Sequence, residues 1–210
     1  MTTKCTEERF LRDIAQHKMH VLRDDGVNRH IRFTRDNSSS MRFDLITWSG
    51  HLCYTGDMGT YVFSRVEDMF EFFRTDREYN KRKGSELSIN IGYWGEKLLS
   101  ESRFGGYREF DPEYFANVIR RYRIEWIREK SIDKEQRREL WEDIEHSVLS
   151  VIDDGSERAS TAAYDFQHRV GSETFRFTDL FDHDFTRATF HFVWCCFALA
   201  WGIRQYDDSK

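Results

Sequence analysis

The period of the apolar positions changes along the chain, and each change predicts a different kind of element. Apolar residues in the first third alternate with polar ones: Met19 to Arg23 and Val27 to Phe33 read as two strands joined across Asp24-Asp25-Gly26. After a polar loop, Asp36 to Ser40, the residues Phe43, Leu45 and Thr47 alternate with Asp44, Ile46 and Trp48. Ser49-Gly50 turns the chain into a strand from His51 to Thr55, and Tyr61 to Phe63 closes the set. A period of two marks strands with one covered face. Two helices frame the early part of this region. Thr6 caps one that carries Phe10, Leu11 and Ile14 and ends near His17 or Lys18. Ser64 with Glu67 three residues later has the spacing of a capping box and places Val66, Met69, Phe70 and Phe73 inward.

Beyond the sheet the reading runs through less regular ground before helices take over. Thr75 to Ser85 is a charged surface loop, Ile89 to Trp94 is extended, and Gly95 to Glu101 forms a short helix. From Asp111 the period becomes helical. Asp111 and Pro112 start a helix whose apolar positions are Phe115, Val118, Ile119, Tyr122, Trp126 and Ile127. Asp133 to Ser150 and Gly155 to Phe166 predict two more, and Thr174 to Phe177 a lone strand able to rejoin the sheet. The stretch from Phe185 to Tyr206 is apolar on nearly every side, so it predicts a helix buried on all faces, around which the rest packs. Its unbroken run, Phe192 to Ala200, falls well short of the roughly 18 residues that cross a bilayer. Strands followed by helices give an α+β class, an N-terminal antiparallel meander sheet with a helical portion packed around one buried central helix. One domain is expected, with a strand-rich part over 1–110 and a helix-rich part over 111–210.

Composition narrows the function classes more than it selects one. Aromatic residues make up 16 % of the chain and proline occurs once, so the chain folds rather than serving as a linker. Residues 1–110 hold 18 Lys and Arg against 17 Asp and Glu, and the remainder 14 against 20. That balance lacks the basic excess of an electrostatic nucleic-acid binder and the acid excess of a DNA mimic. The opening residues have no secretory pattern, and the four cysteines have no zinc or redox spacing, which fits reduced thiols in a cytosol.

Candidate chemistry is thin. Gly56-Asp57-Met58-Gly59-Thr60 resembles a phosphate loop only in its glycines, which a hairpin turn explains, and it is kept as a contact surface through Asp57 and Met58. His51 and Cys53 share a strand face without further ligands at a recognisable spacing. Asp182-His183-Asp184, with His191 beyond, is the one acid and imidazole cluster, and a cap for the central helix accounts for it. Basic residues gather at Lys81, Arg82 and Lys83 and along Arg120, Arg121, Arg123 and Arg128, the latter extended by Lys134, Arg137 and Arg138. Interleaved Glu125, Glu129, Glu135 and Glu139 give that face the look of a solvated helix with ion pairs. No catalytic residue, cofactor or metal ligand is assigned.

Three stretches carry a resemblance: Phe43 to Trp48 with His51 to Phe63, Asp68 to Phe73, and Phe190 to Asp207 with its Trp194-Cys195-Cys196 and Trp201-Gly202-Ile203. They are similar to a family of proteins encoded by bacteriophages and prophages, which carries no enzyme motif to transfer. The resemblance implies a mobile-element origin, residence in a bacterial cytosol, and a role in binding and disabling a host defence machine such as a CRISPR effector. The expected partner is then a host protein or ribonucleoprotein complex, contacted through Asp57, Met58, Lys81, Arg82, Lys83, Arg120, Arg121, Arg123 and Arg128. A nucleotide- or nucleic-acid-acting enzyme using His51, Asp57 and the His183 group is the alternative, as is a nucleic-acid-binding regulator. No membrane partner is expected, and a homodimer stays open.

Overall fold

The computed structural model describes residues 4–75, 87–103 and 106–210. The chain is α+β. Six strands, β1 (Lys18–Asp25), β2 (Asn28–Arg35), β3 (Ser38–Trp48), β4 (His51–Gly56), β5 (Gly59–Ser64) and β6 (Leu98–Ser100), pair antiparallel in sequence order. Alternation sets the register. Ile31 pairs with Leu45 and Leu45 with Tyr54, Phe33 pairs with Phe43, and Leu52 pairs with Phe63. All of these side chains are fully buried on one face.

The chain divides into two compact units, one comprising residues 1–109 and 188–210 and the other 110–187. Both crossings run in short strands, β7 (Arg108–Phe110) and β10 (Thr186–Ala188), which pair with each other. The first unit joins the sheet to α1 (Glu7–Asp13), α2 (Met69–Arg74), α3 (Ile91–Gly95) and the last helix, α7 (Phe190–Asp208). The second holds α4 (Pro112–Glu129), α5 (Lys134–Ser147), α6 (Ser156–Asp165) and the hairpin β8 (Gln167–Val170) and β9 (Glu173–Arg176). Each unit has its own hydrophobic core.

Helix α7 is the predicted central helix, buried on opposite sides, with Phe192, Trp194, Cys195, Cys196, Ala198 and Leu199 all at zero exposure. It lies on the apolar face of the sheet. Phe192 packs 5.4 Å from Tyr61, Trp194 5.7 Å from Phe43, and Trp201 5.2 Å from Phe33, ring centre to ring centre. Gly202 lets the backbone come close, because a Cβ there would stand 2.9 Å from Leu45 Cδ1 and 3.1 Å from Phe33 Cε2. The helix opens at Phe190 rather than Phe185. Thr189 is the cap, accepting from the Phe192 amide at 3.2 Å, and the residues before it are drawn into β10.

Several other boundaries differ from the sequence reading, each for a local reason. The polar loop at 36–40 shrinks to the turn Asp36-Asn37, and β3 begins at Ser38. Helix α1 stops at Asp13. Ser64 ends β5, its hydroxyl donating to the Gly50 carbonyl, and Asp68 caps α2 instead. Glu67 takes a hydrogen bond from the Ser49 hydroxyl at 2.8 Å, and Val66 stays exposed. The extended and helical assignments at 89–101 exchange places: Asn90 caps α3, burying Trp94 4.8 Å from Phe73, and Leu98–Ser100 adds the sixth strand. The strand at 174–177 pairs with β8, not with the N-terminal sheet. The charged loop at 75–85 lies outside the described residues except for Thr75.

A buried ion pair ties strand β2 to α2. Arg29, 9 % exposed, donates to both oxygens of Asp68 at 2.8 and 2.9 Å, and its guanidinium sits 4.8 Å from the Phe70 ring centre. Burial pushes the Asp68 carboxyl up, but hydrogen bonds from Arg29 and the Phe70 amide, with the Arg29 and Arg74 charges, hold it below its ordinary value. Removing Asp68 takes away two charge-assisted hydrogen bonds and leaves Arg29 with only the more distant Asp24, at 4.0 Å, so Asp68→Ala should cost about 1.5–3 kcal/mol in urea unfolding. The same group links stability to pH. Its folded pKa is depressed, so its contribution is complete above the ordinary 3.8 and is lost as pH falls through the folded value. Asp68→Asn should therefore unfold with a flatter acid limb than the wild type. At Gly202, substitution by Leu should destabilise by about 1–3 kcal/mol through overpacking against Phe33 and Leu45, read by the same urea titration.

Candidate functional site

The loop at Gly56 to Thr60 is a hairpin turn held from within. A Cβ on Gly56 would fall 2.2 Å from the Arg42 carbonyl oxygen, so the glycine is required by a neighbouring backbone. Gly59 has φ +102°, and its missing Cβ makes room for Ser102. Asp57 is exposed, yet its Oδ2 accepts the Met41 amide at 2.7 Å, which fixes the irregular stretch of β3 at Met41. Met58 is 7 % exposed and packs into the first core, so it is a core residue and not the contact residue expected. Lys81, Arg82 and Lys83 lie outside the described residues.

On α4 the arginines separate. Arg120, Arg121 and Arg128 are exposed, with Ile124 on the same side of the helix. Arg123 instead turns inward, donating to the Arg137 carbonyl at 2.8 Å and lying 5.1 Å from the Trp141 ring centre. It holds α4 to α5 and leaves the proposed face. Arg138 is taken up by Glu135 and Glu142 on its own helix, as the mixed charge pattern suggests.

The thiols are placed as packing residues. Cys5, Cys195 and Cys196 are buried and Cys53 is partly so. Burial pushes the Cys5 thiol up to about 12 and raises the other three. His51 stacks on Trp48 at 5.1 Å and bonds through Nδ1 to the Ser49 carbonyl, so it is engaged at its own turn. Among the described residues no three His, Cys, Asp or Glu side chains cluster to hold a metal. Two histidine–carboxylate pairs escaped the sequence reading because their partners are distant in the chain. His30 meets the buried Asp44 at 2.7 Å beside Arg32, and His168 meets Asp143 at 2.8 Å.

A cavity with a mixed aromatic and polar lining lies in the second unit. Its volume is about 630 Å³, and it is lined by Phe115, Phe177, Leu180 and Phe185, with Ser160 and Tyr164 from α6 and the segment Thr178 to His183. Phe115 and Phe185 pack edge to face at 4.9 Å, and Phe177 belongs to the core beneath. Phe181 and Tyr164 stand 6.0 Å apart and are 79 % and 69 % exposed, the most exposed large apolar side chains among the described residues. A short 3-10 turn, Leu180–Asp182, presents Phe181 outward and Leu180 inward. Asp179 precedes it in the left-handed region, φ +54°, which Asp tolerates better than most residues. His183 accepts or donates through Nδ1 with the Tyr114 hydroxyl at 3.4 Å and sits 5.6 Å from the Phe185 ring. Burial and then Asp179 push the Tyr122 hydroxyl up, with Asp182 and Glu125 adding to the effect and Arg121 opposing it.

The Asp182-His183-Asp184 cluster therefore does not cap the central helix. Asp184 accepts the Thr186 amide and hydroxyl, at 3.1 and 2.6 Å, and shapes the entry to β10. Asp182 and His183 line the cavity instead, and their aromatic neighbours come from positions 60 or more residues earlier on α4 as well as from the segment itself. His191 is on α7 in the first unit, beside Phe190. Comparison with known proteins gives no match to any protein family, curated protein or solved structure.

If the thiols are packing residues, a thiol reagent such as dithionitrobenzoate should label at most Cys53 in the native protein and all four cysteines after denaturation. Rapid native labelling of Cys195 or Cys196 would contradict the buried placement.

Proposed function

We propose that the chain is a binding protein that acts by occupying the surface of a host defence complex, and that the aromatic cavity of the second unit is its principal contact. One observation carries this reading: Phe181 and Tyr164 project from the rim of a cavity with a packed aromatic floor. Rings are costly to leave in water, and aromatic anchors beside a pocket are the side chains that dominate protein interfaces. The exposed Arg120, Arg121 and Arg128 supply a polar surface on the same unit. The choice of a defence complex rests on the resemblance of Phe43 to Phe63, Asp68 to Phe73 and Phe190 to Asp207 to phage-encoded proteins, and a bacterial cytosol follows from it. No helix of the described residues is long and apolar enough to cross a membrane.

Expression in bacterial strains that each carry one defence complex, followed by phage challenge, tests the reading. Plaque formation should be restored in at least one strain, and the purified protein should bind that strain's complex. Phe181→Ser with Tyr164→Ser should weaken the complex about thirtyfold or more, as loss of a hot-spot pair does, and abolish the rescue. Unchanged plating on every strain would sink the proposal.

A further inference from the structure

We infer that the cavity of the second unit is a receptor for a basic side chain, arginine or lysine, presented by a protein partner. This inference rests on the reading of the cavity as a contact and adds the chemistry of what enters it. The floor and walls are aromatic: Phe115, Phe177 and Phe185 below, Tyr164 and Phe181 at the rim. Two carboxylates, Asp179 and Asp182, stand in a polar lining that otherwise comprises Ser160, Thr178 and His183. Aromatic faces with carboxylates at the edge match a group that is cationic at its tip and apolar along its stem.

The two carboxylates are free for the purpose. Asp179 stands at the start of the 3-10 turn and its side chain makes no capping hydrogen bond there. Among the described residues neither Asp179 nor Asp182 has an ion-pair partner, whereas Asp24, Asp44, Asp68 and Asp207 all do. Both are exposed, so the turn does not use them for packing. Their field reaches the cavity's neighbours, for both raise the Tyr122 pKa, against the single opposing cation Arg121. The surroundings reinforce the sign. Residues 110–187 contain 12 Lys and Arg against 18 Asp and Glu, while the rest of the chain is nearly balanced at 20 against 19.

A ligand of this kind would lay its methylene stem over Phe115 and Phe185, bring its cationic head against the ring faces of Tyr164 and Phe181, and meet the carboxylates at the rim. Arginine fits with particular economy, since its planar head stacks on a ring while its N–H groups donate in the guanidinium's own plane to a carboxylate. Because the carboxylates are exposed, the attraction is screened by salt.

The test uses the full chain and four probes: Nα-acetyl-arginine methylamide, the lysine counterpart, and the neutral citrulline and norleucine counterparts. Binding is followed by calorimetry or by amide chemical shifts at low and high salt. Saturable binding of the arginine or lysine probe is expected, about tenfold or more tighter than its neutral counterpart and weakened by salt. Asp179→Asn with Asp182→Asn should bring the cationic probe down to the neutral one, with the melting midpoint unchanged because neither carboxylate is bonded within the fold. Phe181→Ser should weaken all four probes. Equal binding of charged and neutral probes, no saturation, or full binding by the double carboxamide variant would each overturn the inference. Absent probe binding alongside loss of plaque rescue by Phe181→Ser with Tyr164→Ser would remove the cation chemistry and leave the contact standing. Probe binding without any rescue would support the cation site and remove the defence reading.

Discussion

A helix with apolar residues on all sides must be covered on all sides, and the first unit is the answer to that requirement. The sheet supplies one cover, through Phe33, Phe43, Leu45, Tyr61 and Phe63, and the short helices α1, α2 and α3 pack against further sides of α7, leaving His191 and Arg204 exposed. Tethers of a different kind close the ends. Trp194 donates to Asp13, Tyr206 donates to Asp24, and Arg74 grips Asp207 with two hydrogen bonds. Each tether joins α7 to a different early element, so burial of the helix also fixes where those elements lie. Polar side chains thus set position where apolar packing alone would allow sliding.

The second unit works on other terms. Its helices are amphipathic and its core is built from both helices and the β8–β9 hairpin, with Phe166, Phe175 and Phe177 in mutual ring contact. The outward turn at Leu180–Asp182 is where this packing stops. Leu180 completes the core and Phe181, the next residue, has no core left to enter. A cavity with an aromatic rim is the direct result of that change of direction.

The strands and long helices were legible because their periods are set by burial. Phe43, Leu45 and Thr47 are all buried, and Asp111 with Pro112 starts α4 where the cap chemistry predicts. Elements whose identity depends on partners were not. Phe185 to Ala188 fits the helical spacing that leads into α7, and only pairing with β7 makes its end a strand. Ser64 and Glu67 have capping-box spacing, but sheet pairing claims the first and Ser49 the second. Residues 174–177 read correctly as a strand, while their partner, Gln167–Val170, is too polar to stand out. The candidate site was legible only in fragments. Asp182 and His183 drew notice as a charged cluster, but Phe115, Ser160, Tyr164 and Phe185 come to the same cavity from separate elements, and no spacing in the chain announces that. Met58 and Arg123 were misplaced for the opposite reason, since a turn methionine and a helical arginine look exposed until the core beneath them is known.

The order of the chain sets a timetable for synthesis. Strands β1 to β5 are complete at Ser64, but the helix that covers their apolar face begins about 125 residues later, at Phe190. Everything between 110 and 187 belongs to the other unit, which has its own core and needs nothing from α7 to form it. A nascent chain emerging from the ribosome therefore carries an oily, half-finished sheet while the later-made unit matures ahead of it. Strands such as Tyr61-Val62-Phe63 spend that interval without their lid, so the sheet's apolar face is the last part of the first unit to be closed.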